Sequence, residues 1–151
     1  LSLTINLPTL SDRLDTHIRS EGVRYYTPHV GQLAFHQSLA KGRAIFGGNR
    51  SGKTEAGAAE FALWITGSQR YRPRKRVKAG TGWICTESTE IQREIVQPKI
   101  LKWLPKSKIK KITYIQRGII DFIELIDGWH INFKNYEQGA DKYQGKDVDI
   151  A

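Results

Sequence analysis

The chain has no methionine, a single cysteine and no long apolar run among its 151 residues. One cysteine, Cys85, excludes a disulfide within the chain. It stands in Trp83-Ile84-Cys85, a run expected to form a buried strand, where a thiol acts as a small core hydrophobe. No stretch nears the ~20 apolar residues of a membrane-spanning helix. No N-terminal segment has the layout of a signal peptide. No membrane partner is therefore expected, and the cytoplasm is the expected compartment. Internal repeats and low-complexity tracts are absent too. The missing methionine extends to position 1, and the chain closes on Val148-Asp149-Ile150-Ala151 inside an apolar phrase. A fragment of something longer is the expectation, with enough length for one domain and a real core.

Acidic residues are also scarce where basic ones gather. The net charge is +9, from 24 Lys and Arg against 15 Asp and Glu. Arg70, Arg72, Arg74, Lys75, Arg76 and Lys78 fall in one nine-residue run without an acid. They account for most of the excess. A second stretch, Lys99 to Lys111, holds six lysines and no acid. A run of this kind either contacts a polyanion or a neighbouring subunit, or is a solvated loop.

The most specific motif is Gly47-Gly48-Asn49-Arg50-Ser51-Gly52-Lys53-Thr54, which fits G-x-x-x-x-G-K-[ST]. Glycines let several backbone N–H groups converge on one anion, and the following helix adds its positive end. Lys53 supplies a flexible charge for the β- and γ-phosphates, and Thr54 a hydroxyl for Mg2+. Arg50 either reaches the γ-phosphate or covers the rim of the loop. Upstream, Gln32 either reads the adenine edge through its donor–acceptor amide, with Tyr25 or Tyr26 stacking nearby, or faces solvent on a helix.

The hydrophobic pattern places these residues on elements. Leu10, Leu14 and Ile18 form a weak helical stripe. Thr27-Pro28 reads as the start of a helix reaching about Ala40. A short buried strand is expected over 43–47, then the loop, then a helix from Gly52 to about Thr66. A strand follows over 82–86. Thr89-x-x-Gln92 reads as a capping box opening a helix that Pro98 interrupts or restarts. From Ile112 the period becomes two, and Asp127-Gly128 between apolar runs signals a hairpin. The expected fold is α/β of the P-loop NTPase kind. It has a mainly parallel sheet flanked by helices, an antiparallel hairpin, and a truncation before the last strand is complete. Residues 1–24 read as an N-terminal extension and 25–151 as the partial ATPase domain.

Phe46 to Thr54, in the form Gly-Gly-Asn-Arg-x-Gly-Lys-Thr, resembles the P-loop of the large terminase subunits of tailed phages. Tyr143-Gln144-Gly145-Lys146-Asp147-Val148-Asp149 resembles the segment which those proteins place before their acidic strand. Ile84-Cys85-Thr86-Glu87-Ser88 fits the same family. The resemblance runs from about Tyr26 to the end. It implies an ATP-driven motor that moves double-stranded DNA through a portal into a procapsid, with a small terminase subunit and further copies of itself as partners. It also implies a nuclease domain outside this chain. Lys53 and Arg50 would stabilise charge while water attacks the γ-phosphate, and ATP and Mg2+ would be the cofactors. The family's Asp-Glu pair has no counterpart here, since neither Asp147 nor Asp149 follows a full apolar run. Arg93 and Arg117 are candidates for an arginine offered to a neighbouring subunit. A helicase-like ATPase and a non-enzymatic nucleotide-binding remnant are the competing readings.

Overall fold

The computed structural model describes residues 9–73, 79–116, 118–139 and 147–151. Arg74, Lys75, Arg76, Lys78, Arg117 and the 143–146 part of the terminase-like segment lie outside the described residues.

The N-terminal part is helical. Helix α1, Leu10–Glu21, opens on a capping box between Thr9 and Asp12, which satisfies two terminal N–H groups reciprocally. Its Leu10 and Leu14 are exposed. A 3-10 turn, Gly22–Tyr25, follows and packs tightly on the far end of the helix layer. A Cβ at Gly22 would lie 2.4 Å from the Trp103 carbonyl oxygen. Helix α2 spans Val30–Gln37, shorter than the pattern predicts. Its cap is His29 rather than Thr27: the His29 imidazole accepts from the Gly31 N–H, and the Gln32 amide oxygen accepts from the His29 N–H.

Helix α3, Lys53–Ile65, matches the expectation closely and organises the molecule. Strand β1 spans Thr81–Thr86. Helix α4, Thr89–Ile91, widens into a π turn at Gln92–Val96 and continues as α5, Gln97–Trp103. The widening falls where Pro98 has no N–H to return to the preceding turn. The cap of α4 is Ser88, whose hydroxyl accepts from the Ile91 N–H, one residue ahead of the expected Thr89. Strands β2 (Ile109–Gln116), β3 (Ile119–Leu125) and β4 (His130–Asn135) complete the described strands.

The sheet order is β1-β4-β3-β2. Strands β1 and β4 are parallel, while β4–β3 and β3–β2 are antiparallel. The β3–β4 hairpin turns through Asp127-Gly128, with Gly128 at φ 89, as its sequence signals. Two corrections follow. The described sheet is mixed rather than mainly parallel. And the expected strand at 43–47 has no regular secondary structure and joins no described strand, with Phe46 93% exposed. Residues 148–151 enter on the other edge of β1 through a parallel bridge from Ile150 to Gly82.

Helix α3 is apolar around most of its circumference because it is covered twice. Ala58, Phe61 and Ile65 meet the sheet through Ile123, Ile131 and Phe133, with Ile100 and Leu104 of the α5 segment alongside. Ala59, Ala62 and Leu63 meet Val23 and Tyr26 of the N-terminal part. Small alanines allow both layers to approach. At Gly82 a Cβ would lie 2.6 Å from the Phe61 ring, so glycine lets β1 sit against the helix.

Candidate functional site

The loop 47–52 leads directly into the N-terminus of α3. Its turn is closed by the Ser51 N–H donating to the Gly48 carbonyl at 3.3 Å. Arg50 (φ 63) and Gly52 (φ 80) both take left-handed backbone. Arg50 is the one such non-glycine among the described residues, a conformation that costs about 1–2 kcal/mol. Helix α3 has no side-chain cap, so its first N–H groups stay open toward the loop. The Lys53 ammonium folds over the loop and donates to the carbonyls of Gly47 (2.8 Å) and Gly48 (2.7 Å) and to the Ser51 hydroxyl (3.4 Å). Thr54 is exposed, and its hydroxyl makes no hydrogen bond among the described residues. Open N–H groups, a cation folded over the loop and an uncommitted hydroxyl fit a phosphate with a divalent cation.

Two residues of the α2 start hold the loop from below. The His29 Nε2–H donates to the Ser51 carbonyl at 3.4 Å, since its Nδ1 is already an acceptor. Gln32 is 8% exposed, so it is not a solvent-facing helix residue. Its Nε2 donates to the Gly52 carbonyl at 3.1 Å. Its Oε1 accepts from the His29 N–H and from the Tyr26 hydroxyl. Reading an adenine edge requires this amide to exchange those partners. Tyr26 is buried, its ring edge-on to His36 and Trp103, and is taken by the fold. Tyr25 is 43% exposed and sits edge-on to His17.

The centre of α3 carries a buried carboxylate. Glu60 is 4% exposed. It accepts from His36 Nδ1 (2.6 Å), Arg43 (2.8 Å), Arg72 (2.9 Å), the Trp64 indole (2.8 Å) and the Gln69 amide (3.1 Å). Burial alone would raise its pKa. The hydrogen bonds from His36 and Arg43, with their charge, outweigh burial and hold it at about 2. Burial pushes the Tyr26 hydroxyl well above the usual tyrosine range.

This carboxylate corrects the reading of Arg72. Arg72 is not an exposed charge: it spans Glu60 and the Ser38 carbonyl, and its side chain is 8% exposed. Arg70 donates to the backbone carbonyls of Val23 and Tyr26. Both fasten the segment after α3 to the N-terminal part. No acidic run matches the basic one in the sequence, and a single acid of the helix takes Arg72. A glutamate inside the apolar stretch Ala56–Ile65 was the available signal, because such a residue must find buried partners.

Other candidates lie apart from the loop. Arg93 pairs with its neighbour Glu94 and is 46% exposed at the side chain. Cys85 is exposed rather than buried, because its face of β1 points away from α3 and α5. Burial of its surroundings nonetheless raises its thiol pKa. Asp149 accepts from the Thr81 N–H at 2.8 Å, at the start of β1. A groove of about 650 Å3 runs between α3, β1 and residues 148–151, with Thr54 and Arg43 among its walls.

Comparison with curated proteins gave no match, and neither did comparison with solved structures. Residues 44–151 match the model of the family described as terminase large subunit, T4likevirus-type, N-terminal. The matched stretch takes in residues 47–54, α3, the whole described sheet and the 148–151 segment. With well over half of its residues matched, the chain belongs to the terminase large-subunit family and corresponds to its N-terminal part.

Proposed function

We propose that this chain is the nucleotide-binding part of a DNA-packaging motor. ATP phosphates would lie at Gly47–Thr54, within reach of the open N–H groups of α3. Lys53 would leave the Gly47 and Gly48 carbonyls to meet the β- and γ-phosphates. Arg50, exposed and with left-handed backbone, would add charge at the γ-phosphate. Thr54 would give its hydroxyl to Mg2+. Bound there, Mg2+ would neutralise the phosphate charge that develops in the transition state. The work done would be the movement of double-stranded DNA into a procapsid, with portal, small subunit and further copies of the chain as partners in the host cytoplasm. Among the described residues no helix is long and apolar enough to cross a membrane.

The observation that carries this reading is the complete G-x-x-x-x-G-K-[ST] loop folded onto an uncapped helix N-terminus. Within a terminase family, that arrangement is the part of the chain equipped for a triphosphate. Lys53→Ala removes the loop's cation and should weaken ATP binding at least a hundredfold in a titration of the purified chain. Unchanged affinity would overturn the assignment. Base reading by Gln32 belongs to the same experiment. A Gln32→Ala variant that loses its preference for ATP over GTP would show the amide exchanging Gly52 and Tyr26 for the base. Equal loss of ATP and GTP would show that it serves the loop alone.

A further inference from the structure

The two basic stretches of the sequence meet at the end of α3 farthest from the phosphate loop. A pocket of about 310 Å3 opens there, with Arg24, Arg70 and Lys108 in its walls beside Ser68 and Ser107. Glu21 is the one acid among the lining residues, and Arg24 holds it at 3.2 Å. Arg70 has no acid partner among the described residues. Two of its five donors go to the Val23 and Tyr26 carbonyls, which fixes the guanidinium and leaves the others open. The Lys108 ammonium and the Ser107 hydroxyl make no hydrogen bond or ion pair among the described residues. Lys106, on the same 3-10 turn, is exposed and likewise unpaired there. Three helices end at this pocket: α1 at Glu21, α3 beside Thr66 and α5 shortly before Pro105. A helix C-terminus carries roughly half a negative charge, so it favours cations nearby. With Glu21, the three ends offset about two and a half of the four positive charges, and the pocket stays positive.

We infer that this pocket holds a backbone phosphate of DNA, with Arg70 fixed in the wall, Lys108 and Arg24 closing on the phosphate oxygens, and Ser107 donating its hydroxyl. This rests on the reading of the chain as part of a DNA-packaging motor. Guanidinium, ammonium and hydroxyl donors together are the set that phosphate oxygens draw on duplex DNA. Such contacts carry no sequence information, which suits a motor that must pass any sequence. A continuous polyanion also supplies a neighbouring phosphate for Lys106, which a single small anion does not. Helix α3 then has an anion site at each end. The nucleotide phosphates meet its first turn, and the DNA phosphate lies beyond its last, about 20 Å along its thirteen residues. Arg24 precedes the stretch 44–151 that the family model matches, so the site draws on a residue which that model does not cover.

The test uses the full chain and a short labelled DNA duplex, with the Kd read by fluorescence anisotropy across a salt series. Lys108→Ala removes a charge that no described acid holds, so every described ion pair survives. It is expected to raise the Kd about five- to tenfold near 0.1 M salt, and to lower the slope of log affinity against log salt by about 0.9. Arg24→Ala, at a side chain 72% exposed, is expected to do the same. Lys110→Ala is the control. It removes the same charge from the same stretch, but from a lysine held by Glu124 at 2.6 Å, and should change neither quantity. All three variants should bind ATP with the wild-type Kd, which separates this pocket from the phosphate loop and shows that they fold. A Lys108→Ala variant with the wild-type Kd and slope for DNA would overturn the pocket. An equal loss in Lys110→Ala would overturn it too, by reducing the effect to net charge. Inorganic phosphate at matched ionic strength supplies the remaining arm. If it shifts the Ser68 and Ser107 amide resonances while Lys108→Ala leaves duplex affinity alone, the site serves a free anion and the DNA contact is overturned. If the wild-type chain shows no salt-dependent duplex binding at all, the motor reading falls and the pocket with it; unaffected variants of a chain that does bind remove the pocket alone.

Discussion

Helix α3 carries two glutamates, Glu55 and Glu60, about 140° apart around its axis. Each gathers basic side chains and one indole N–H, yet they do different work. Glu60 lies in the interior and takes two arginines, a histidine and Trp64, tying the helix to α2 and to the segment after it. Glu55 lies nearer the surface and takes Lys99, Lys102 and the Trp103 indole, tying the helix to α5. Both pKa values are lowered, in each case because bonds to cations overcome the opposing effect of burial. The side chains differ as the settings demand. Arginine brings a planar fork that satisfies several acceptors in a dry site, whereas lysine keeps a hydrated point charge at the edge. Burial, rather than the number of partners, separates a structural hub from a surface clasp.

The largest expected effect comes from breaking the interior member. Glu60→Ala leaves Arg43 and Arg72 without their carboxylate and should cost about 3–5 kcal/mol, read by urea denaturation. Glu55→Ala should cost about 1 kcal/mol or less. Equal losses would erase the distinction between the two. The next effect is acid sensitivity. Glu60 has its folded pKa depressed from 4.5 to about 2. Its contribution is therefore complete above about 4.5 and is lost as the pH falls toward 2, on the order of 3 kcal/mol at most. Glu60→Gln should flatten that limb of the stability curve, and Glu55→Gln should leave most of it. Smallest is the response to salt. Raising ionic strength from 0.05 to 0.5 M should weaken the Glu55 clasp by roughly 0.3 kcal/mol and leave the Glu60 hub unmoved.

Local features were legible in the sequence. The α3 span, β1 and the β3–β4 hairpin all follow from residue spacing and turn chemistry over a few positions. Caps were legible to within one or two residues, because Thr27 and Thr89 have neighbours, His29 and Ser88, that can do the same job. What required the fold was every pairing across distance. The 43–47 segment reads as a strand by composition, but a strand exists only with an edge to join, and composition names no partner. Arg70 and Arg72 read as exposed charge, for a polyanion, a neighbouring subunit or solvent, because their acceptors come from residues 23, 26, 38 and 60. Gln32 was singled out for its place before the loop, and it does lie against the loop. Which of its atoms are already engaged could not be seen without Tyr26 and His29 in place.

The pairing of each carboxylate with an indole gives the molecule two built-in optical probes. Trp64 donates to Glu60 and lies beneath the Arg72 guanidinium, 5.0 Å from its ring centroid. Trp103 donates to Glu55 with the Lys102 ammonium 4.4 Å from its ring centroid. An indole's emission responds to the charge beside it, so each tryptophan reports the ionisation of its own glutamate. Replacing Trp103 with Phe leaves Trp64 to watch the interior hub, and replacing Trp64 leaves Trp103 to watch the clasp. Trp83 and Trp129, both buried, supply a background common to the two. Events at the two glutamates of one helix thus become separable by light, with no label attached.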